Sequence, residues 1–152
     1  MQVTFGKHNG KSVGYLILKE PDYLMWLLKQ PNSEGPMAKV KVEAIRLISI
    51  FNSKSFIRKC EGKNCQTPVS KYTTYTGSTS SLSYWCESCD PYQLGALKGK
   101  LSEHVSYDEA IKHIQLTCGA TKAGYKAIVR ELALSKGLPE RSGESQIDAF
   151  FA

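Results

Sequence analysis

Four of the five cysteines in this 152-residue chain fall into two close pairs, Cys60-x4-Cys65 and Cys86-x2-Cys89, with twenty residues between them. No other feature constrains the middle of the chain so strongly. Each pair forms a tight knuckle that projects two thiolates. The intervening residues favour strands, and a hairpin there brings the knuckles together. Four soft ligands in a tetrahedron suit zinc, and four protein ligands leave no open position for a catalytic water. The expectation is therefore a structural zinc ion held by Cys60, Cys65, Cys86 and Cys89, with Lys59 and Lys63 offsetting its net negative charge. Cys118 falls on an apolar helix face and is expected in the core.

A disulfide framework is not expected. The N-terminus lacks the apolar stretch and small-residue cleavage site of a signal peptide. The longest apolar run, Tyr23 to Leu28, has six residues, so no membrane span is expected. The expected setting is the cytoplasm in association with the nucleoid, or the nucleus in a eukaryotic or viral context.

Around the cysteine segment the pattern is helical, and the fold class expected is α+β: helices flanking a small zinc-bound β-hairpin unit of zinc-ribbon or treble-clef-like type. Four segments are expected. Residues 1–54 hold a short strand at Val3 to Phe5 and helices over Val13–Lys19, Asp22–Gln30 and about Met37–Phe51. Ser12 caps the first helix and Pro21 starts the second. Residues 55–94 are the four-cysteine unit, with strands in FIRKC, PVSKYTTY and LSYWC and a hairpin loop at TGSTSS. Residues 95–137 are helical, with a capping box at Ser106-Tyr-Asp-Glu109 and stops at Gly119 and Gly137. Residues 138–152 are a flexible tail.

Two peptides carry resemblances. Phe5-Gly6-Lys7-His8-Asn9-Gly10-Lys11, followed by Pro21-Asp22-Tyr23-Leu24-Met25-Trp26-Leu27-Leu28, resembles the small C-terminal domain of exonuclease X-type proteins. It also resembles the related small proteins described as quorum-sensing-regulated virulence factors. The match covers about the first 30 residues and implies a nucleic-acid-processing context. It does not carry nuclease activity, because the acidic catalytic domain of those exonucleases is absent. The chain's end, Gln146-Ile147-Asp148-Ala149-Phe150-Phe151, resembles a sliding-clamp-binding peptide. That resemblance implies docking on a replication clamp through Gln146, Ile147, Phe150 and Phe151.

The net charge of +6 favours polyanionic partners. The excess lies in residues 1–58, with nine basic and four acidic side chains, whereas residues 101–152 carry six and seven. Gly6 and Gly10 permit a turn that presents Lys7, His8 and Lys11 together. Lys122, Lys126 and Arg130 recur every four residues and share one helix face. Lys71 and Tyr72 belong to a segment that interleaves cations with Tyr75, Tyr84 and Trp85, a composition suited to stacking on unpaired bases. Trp85 is expected against the metal core, and Tyr23 and Trp26 in the main core.

There is no phosphate-binding Gly-rich loop, no G-x-S-x-G and no paired acidic metal motif. The function expected is that of a zinc-containing DNA-binding accessory of replication or repair that docks on a clamp and is not itself an enzyme. Two alternatives stand beside it. One is a metal-dependent nuclease acting on DNA ends or branches, with His104, His113 and Asp108 the nearest candidate set. The other is a protein-interaction adaptor without nucleic-acid binding.

Overall fold

The computed structural model describes residues 1–31, 34–91 and 100–152. The chain opens with a 3₁₀ turn at Gly6–His8 in place of a strand. Val3 N–H donates to the Lys11 carbonyl and Gly10 N–H to the Val3 carbonyl, which folds the turn back on itself. The expected strand reduces to one bridge between Gln2 and Ser12.

Three helices follow: α1 (Val13–Lys19), α2 (Pro21–Lys29) and α3 (Pro36–Ser53). Ser12 Oγ accepts the Tyr15 N–H and so satisfies one of the free donors at the start of α1. Proline begins both α2 and α3, where its missing N–H costs nothing. Val40, Ala44, Leu47, Ile48 and Phe51 face inward from α3 at the spacing the sequence predicts.

Among the described residues the sheet has three antiparallel strands, β1 (Lys71–Tyr75), β2 (Ser83–Trp85) and β3 (Leu101–His104), in the order β2-β1-β3. Tyr72 pairs with Tyr84 on one side and His104 on the other. The β1–β2 hairpin falls where expected, around TGSTSS. Two local expectations change. Residues 56–60 contribute only a bridge, Lys59 to Pro68. β3 lies in a segment read as helical, because LSEH has no strand signature apart from a partner to pair with.

α4 (Tyr107–Thr117), α5 (Lys122–Ser135) and α6 (Glu144–Phe151) complete the chain. Ser106 Oγ accepts the Glu109 N–H, as the capping box predicts. Gly119 (φ 71°) and Ala120 (φ 54°) make the left-handed turn between α4 and α5. The end of α5 is a Schellman motif: Leu138 N–H donates to the Ala133 carbonyl and Gly137 N–H to that of Leu134.

The C-terminal segment is not a flexible tail. It is α6, and Ile147, Phe150 and Phe151 are buried in the core. Phe150 lies 5.9 Å from Phe51 of α3, ring centre to ring centre. Phe151 and Ile147 cover Gly14 of α1, where a Cβ would approach the Phe151 ring to 2.9 Å. Three large apolar groups gain more by filling that site than by standing in water.

One contiguous apolar cluster joins the N-terminal helices, the sheet and the C-terminal helices. Tyr107, at the start of α4, ties two of these parts together through α1 and α3. Its hydroxyl donates to the Ile17 carbonyl (2.9 Å), its N–H donates to Asn52 Oδ1 (2.8 Å), and its ring meets Phe51 at 5.3 Å. Among the described residues, no helix is long and apolar enough to cross a membrane.

Candidate metal centre and cationic face

The four cysteines meet. Cys60 leads a turn in which the Cys65 N–H donates to the Gly62 carbonyl, with Asn64 left-handed at φ 56°. Cys86 follows β2 directly. The Glu61 N–H donates to the Tyr84 carbonyl, and the Tyr84 N–H donates to the Glu61 carboxylate, so the first knuckle is tied to the strand that carries the second.

All four sulfurs lie within 4.8 Å of one another, and this group can hold a metal ion. Cys65 Sγ and Cys86 Sγ are 3.7 Å apart. The N–H groups of Gly62 and Cys86 donate to Cys60 Sγ at 3.4 and 3.2 Å, which places positive dipole ends where thiolate charge would collect. Hydrogen bonds from Thr67, its backbone N–H foremost, pull the Cys65 thiol down to about 6. Contacts with the neighbouring cysteines, Cys86 first, push Cys89 up to about 12. Four thiols so close cannot all ionise without a cation among them.

Gly62 carries no mark in the sequence beyond its place between the first two cysteines. A Cβ there would run into Cys89 Sγ, so the knuckle closes only on a residue without a side chain. Cys118 stands apart from the quartet. It is half-buried and donates to the Ser78 carbonyl at 3.6 Å.

The centre is anchored to the core by aromatic contacts. Phe56 meets Tyr84 at 5.7 Å and Tyr72 at 6.2 Å. Tyr72 is fully buried and its hydroxyl donates to the Ser106 carbonyl, so it offers no face to a base. Tyr84 and Trp85 are buried too, with Trp85 Nε1–H donating to Thr73 Oγ1 at 2.9 Å. Lys71 is half-buried and pairs with Glu103 at 3.0 Å. The expected stacking surface on the cysteine segment therefore reduces to Tyr75, which is exposed.

The other cations gather elsewhere. Glu20, at the α1–α2 junction, meets Lys122 at 3.6 Å and Lys126 at 3.5 Å. A cleft of about 280 Å³ beside it is lined by Tyr15, Lys19, Lys126, Arg130 and the apolar Leu18 and Leu138. Lys11 Nζ sits 4.9 Å above the Tyr15 ring and Lys7 Nζ 5.4 Å above that of Tyr23. Burial lowers the His8 pKa, with Glu20 opposing and Lys7 and Lys122 reinforcing the shift. The N-terminal turn and α5, more than 100 residues apart in sequence, thus form one face around Glu20. Glu20, Tyr15 and Lys19 do not stand out in the sequence, because nothing local marks a residue whose partners are so distant.

His104 and His113 also come together, their ring centres 5.5 Å apart, in a cleft with Glu109 and Lys112. His104 Nδ1 is 3.6 Å from Glu109, and His113 Nε2 is 2.8 Å from the Ser78 carbonyl. Asp108, the acid of the candidate nuclease set, is exposed and does not line that cleft.

Of the residues read as clamp-binding, Gln146 is exposed and its Oε1 accepts the Gly143 N–H at the start of α6. Ile147, Phe150 and Phe151 point inward and hold that helix in place. The features define a mixed α+β protein with a four-cysteine candidate metal centre. No protein family, curated protein or solved structure matches the chain.

Proposed function

We propose that this protein binds DNA through the face formed by Lys7, His8, Lys11, Lys122, Lys126 and Arg130, and that its four cysteines hold a structural zinc ion. The convergence of the N-terminal turn and α5 carries the reading. Six lysines and arginines, Lys19 included, gather there against the carboxylates of Glu20 and Asp22, and cations so grouped attract a phosphate backbone. Glu20 serves to hold Lys122 and Lys126 in register, since two cations sharing one carboxylate keep unspent charge for a ligand.

Zinc suits the cysteine centre by donor chemistry and by size. A tetrahedron with Zn–S bonds of about 2.3 Å separates sulfurs by about 3.8 Å. Cys65 and Cys86 stand 3.7 Å apart. The metal's role is to close the knuckles onto the sheet. The resemblance of the first 30 residues implies a nucleic-acid-processing setting, which agrees with this reading. Clamp docking forms no part of this reading, because the apolar groups it needs hold α6 to the core.

Binding of a labelled DNA duplex and of a single strand, followed across salt concentrations, tests the DNA reading. The slope of log K against log salt should reflect several phosphate contacts. It should shrink by about 0.7–0.9 for each cation removed from Lys7, Lys122 and Lys126. Salt-independent binding, or none, refutes it. For the metal, protein purified without added zinc should carry one zinc ion per chain and lose it on Cys65→Ala; a folded, metal-free protein refutes that part.

A further inference from the structure

Trp26 is expected in the core from its place in a run of apolar residues. It is instead half exposed, at 50%. The buried stripe of α2 is Pro21, Leu24 and Leu27, and Trp26 lies off it. Its ring is 5.4 Å from Tyr23, tilted by 34°, and Tyr23 in turn meets His8 edge-on at 4.5 Å. The three rings form a row that runs from the solvent-facing side of α2 to the N-terminal turn.

Cations stand at both ends of the row. Lys7 Nζ lies over the Tyr23 ring. Lys29 is exposed one helical turn beyond Trp26, on the same face. At the His8 end the row adjoins the Glu20, Lys122 and Lys126 group, with Asp22 the other carboxylate nearby. Gly6 is left-handed at φ 68°, and a Cβ there would meet the Tyr23 hydroxyl at 2.9 Å, so the turn lies close against the row.

An exposed indole face with ammonium groups to either side suits a chain that offers bases and phosphates at once. A duplex hides its base faces in the stack; a single strand presents them. From this we infer that the protein prefers single-stranded nucleic acid, with an unpaired base stacked on Trp26 and the flanking phosphates on Lys7 and Lys29. The inference rests on the DNA-binding reading above and narrows its ligand.

The test compares three ligands on the full-length protein: a thymine oligonucleotide of about fifteen nucleotides, an abasic strand of the same length, and a duplex. The thymine strand should bind at least about fivefold more tightly than the abasic strand, the lower end of what one stacked base contributes. It should also quench tryptophan fluorescence, which the abasic strand should not. Trp26→Leu keeps the bulk and loses the π face, so the thymine strand should drop to abasic affinity with duplex binding unchanged. Trp26→Phe should restore most of the difference. Both substitutions lie on an exposed helix face, and circular dichroism checks that they fold.

Equal affinity of Trp26→Leu and wild type for the thymine strand overturns the stacking inference and leaves the DNA reading standing. The stacking inference falls equally if the wild type does not distinguish thymine from abasic strands, as when Trp26 serves a protein partner. Failure of the wild type to bind any of the three overturns both.

Discussion

Replacing Phe151 by alanine puts the position of α6 to a quantitative test. Phe151 is 7% exposed and its ring lies over Gly14, whose missing side chain makes the socket. The ring also meets Phe150 edge-on at 5.1 Å. Truncating a buried phenylalanine costs about 3–5 kcal/mol. The residue closes the last turn of the chain, where neighbours relax easily, so the lower end applies, about 3 kcal/mol. With a urea m-value of about 2 kcal/mol per molar, the unfolding midpoint should fall by about 1.5 M. Equilibrium urea unfolding followed by far-UV circular dichroism measures this directly. Asp148→Ala, on the exposed face of the same helix, should stay within about 0.5 kcal/mol of wild type. Gly14→Ala should destabilise as well, since its Cβ meets Phe151 at 2.9 Å and Ile147 at 3.1 Å. If the segment were a mobile arm, both Phe151→Ala and Gly14→Ala would be close to neutral, and that result would refute the docked helix.

Two further outcomes follow from the cysteine knuckle and the end of α3. Gly62→Ala should weaken metal binding by about 10–100-fold in a chelator competition, because the added methyl displaces Cys89 Sγ while all four ligands remain. Lys136 Nζ donates to the carbonyls of Phe51, Asn52 and Lys54 at 3.0, 3.3 and 2.9 Å and so finishes α3 from the cap of α5. Lys136→Met should expose the loss of those bonds as a lower unfolding midpoint at pH 7. Burial, and then the Lys54 charge, pull the Lys136 ammonium from 10.5 down to about 8. Between those values the unfolded chain holds the proton and the folded one does not, so stability relative to Lys136→Met should rise with pH from about 8 to 10.5. A difference that is flat across this window refutes the shift.

Local signals account well for the helices. The Ser12 cap, the Pro21 start, the Ser106 capping box and the Gly119 and Gly137 stops each act within a few residues, so the chain carries them openly. The cysteine spacing is legible for the same reason, and the four sulfurs do converge. α2 is harder to read. Tyr23 to Leu28 is apolar all round, and periodicity does not say which side is buried; contact with α1, α3 and α5 leaves Trp26 outside. LSEH becomes a strand only because β1 has a free edge to pair with it.

What the sequence by itself determined is the set of short-range structures: caps, turns, helix stripes and two cysteine knuckles one hairpin apart. Tertiary structure decided which apolar groups are core and which cations are neighbours. Ile147, Phe150 and Phe151 have the same spacing whether they dock on a partner or on α1 and α3, and the socket at Gly14 and the contact with Phe51 distinguish the two. Lys7 and Lys122 become neighbours because α2 packs on α5. Burial and long-range charge depend on pairs of distant residues, and no window along the chain contains both members.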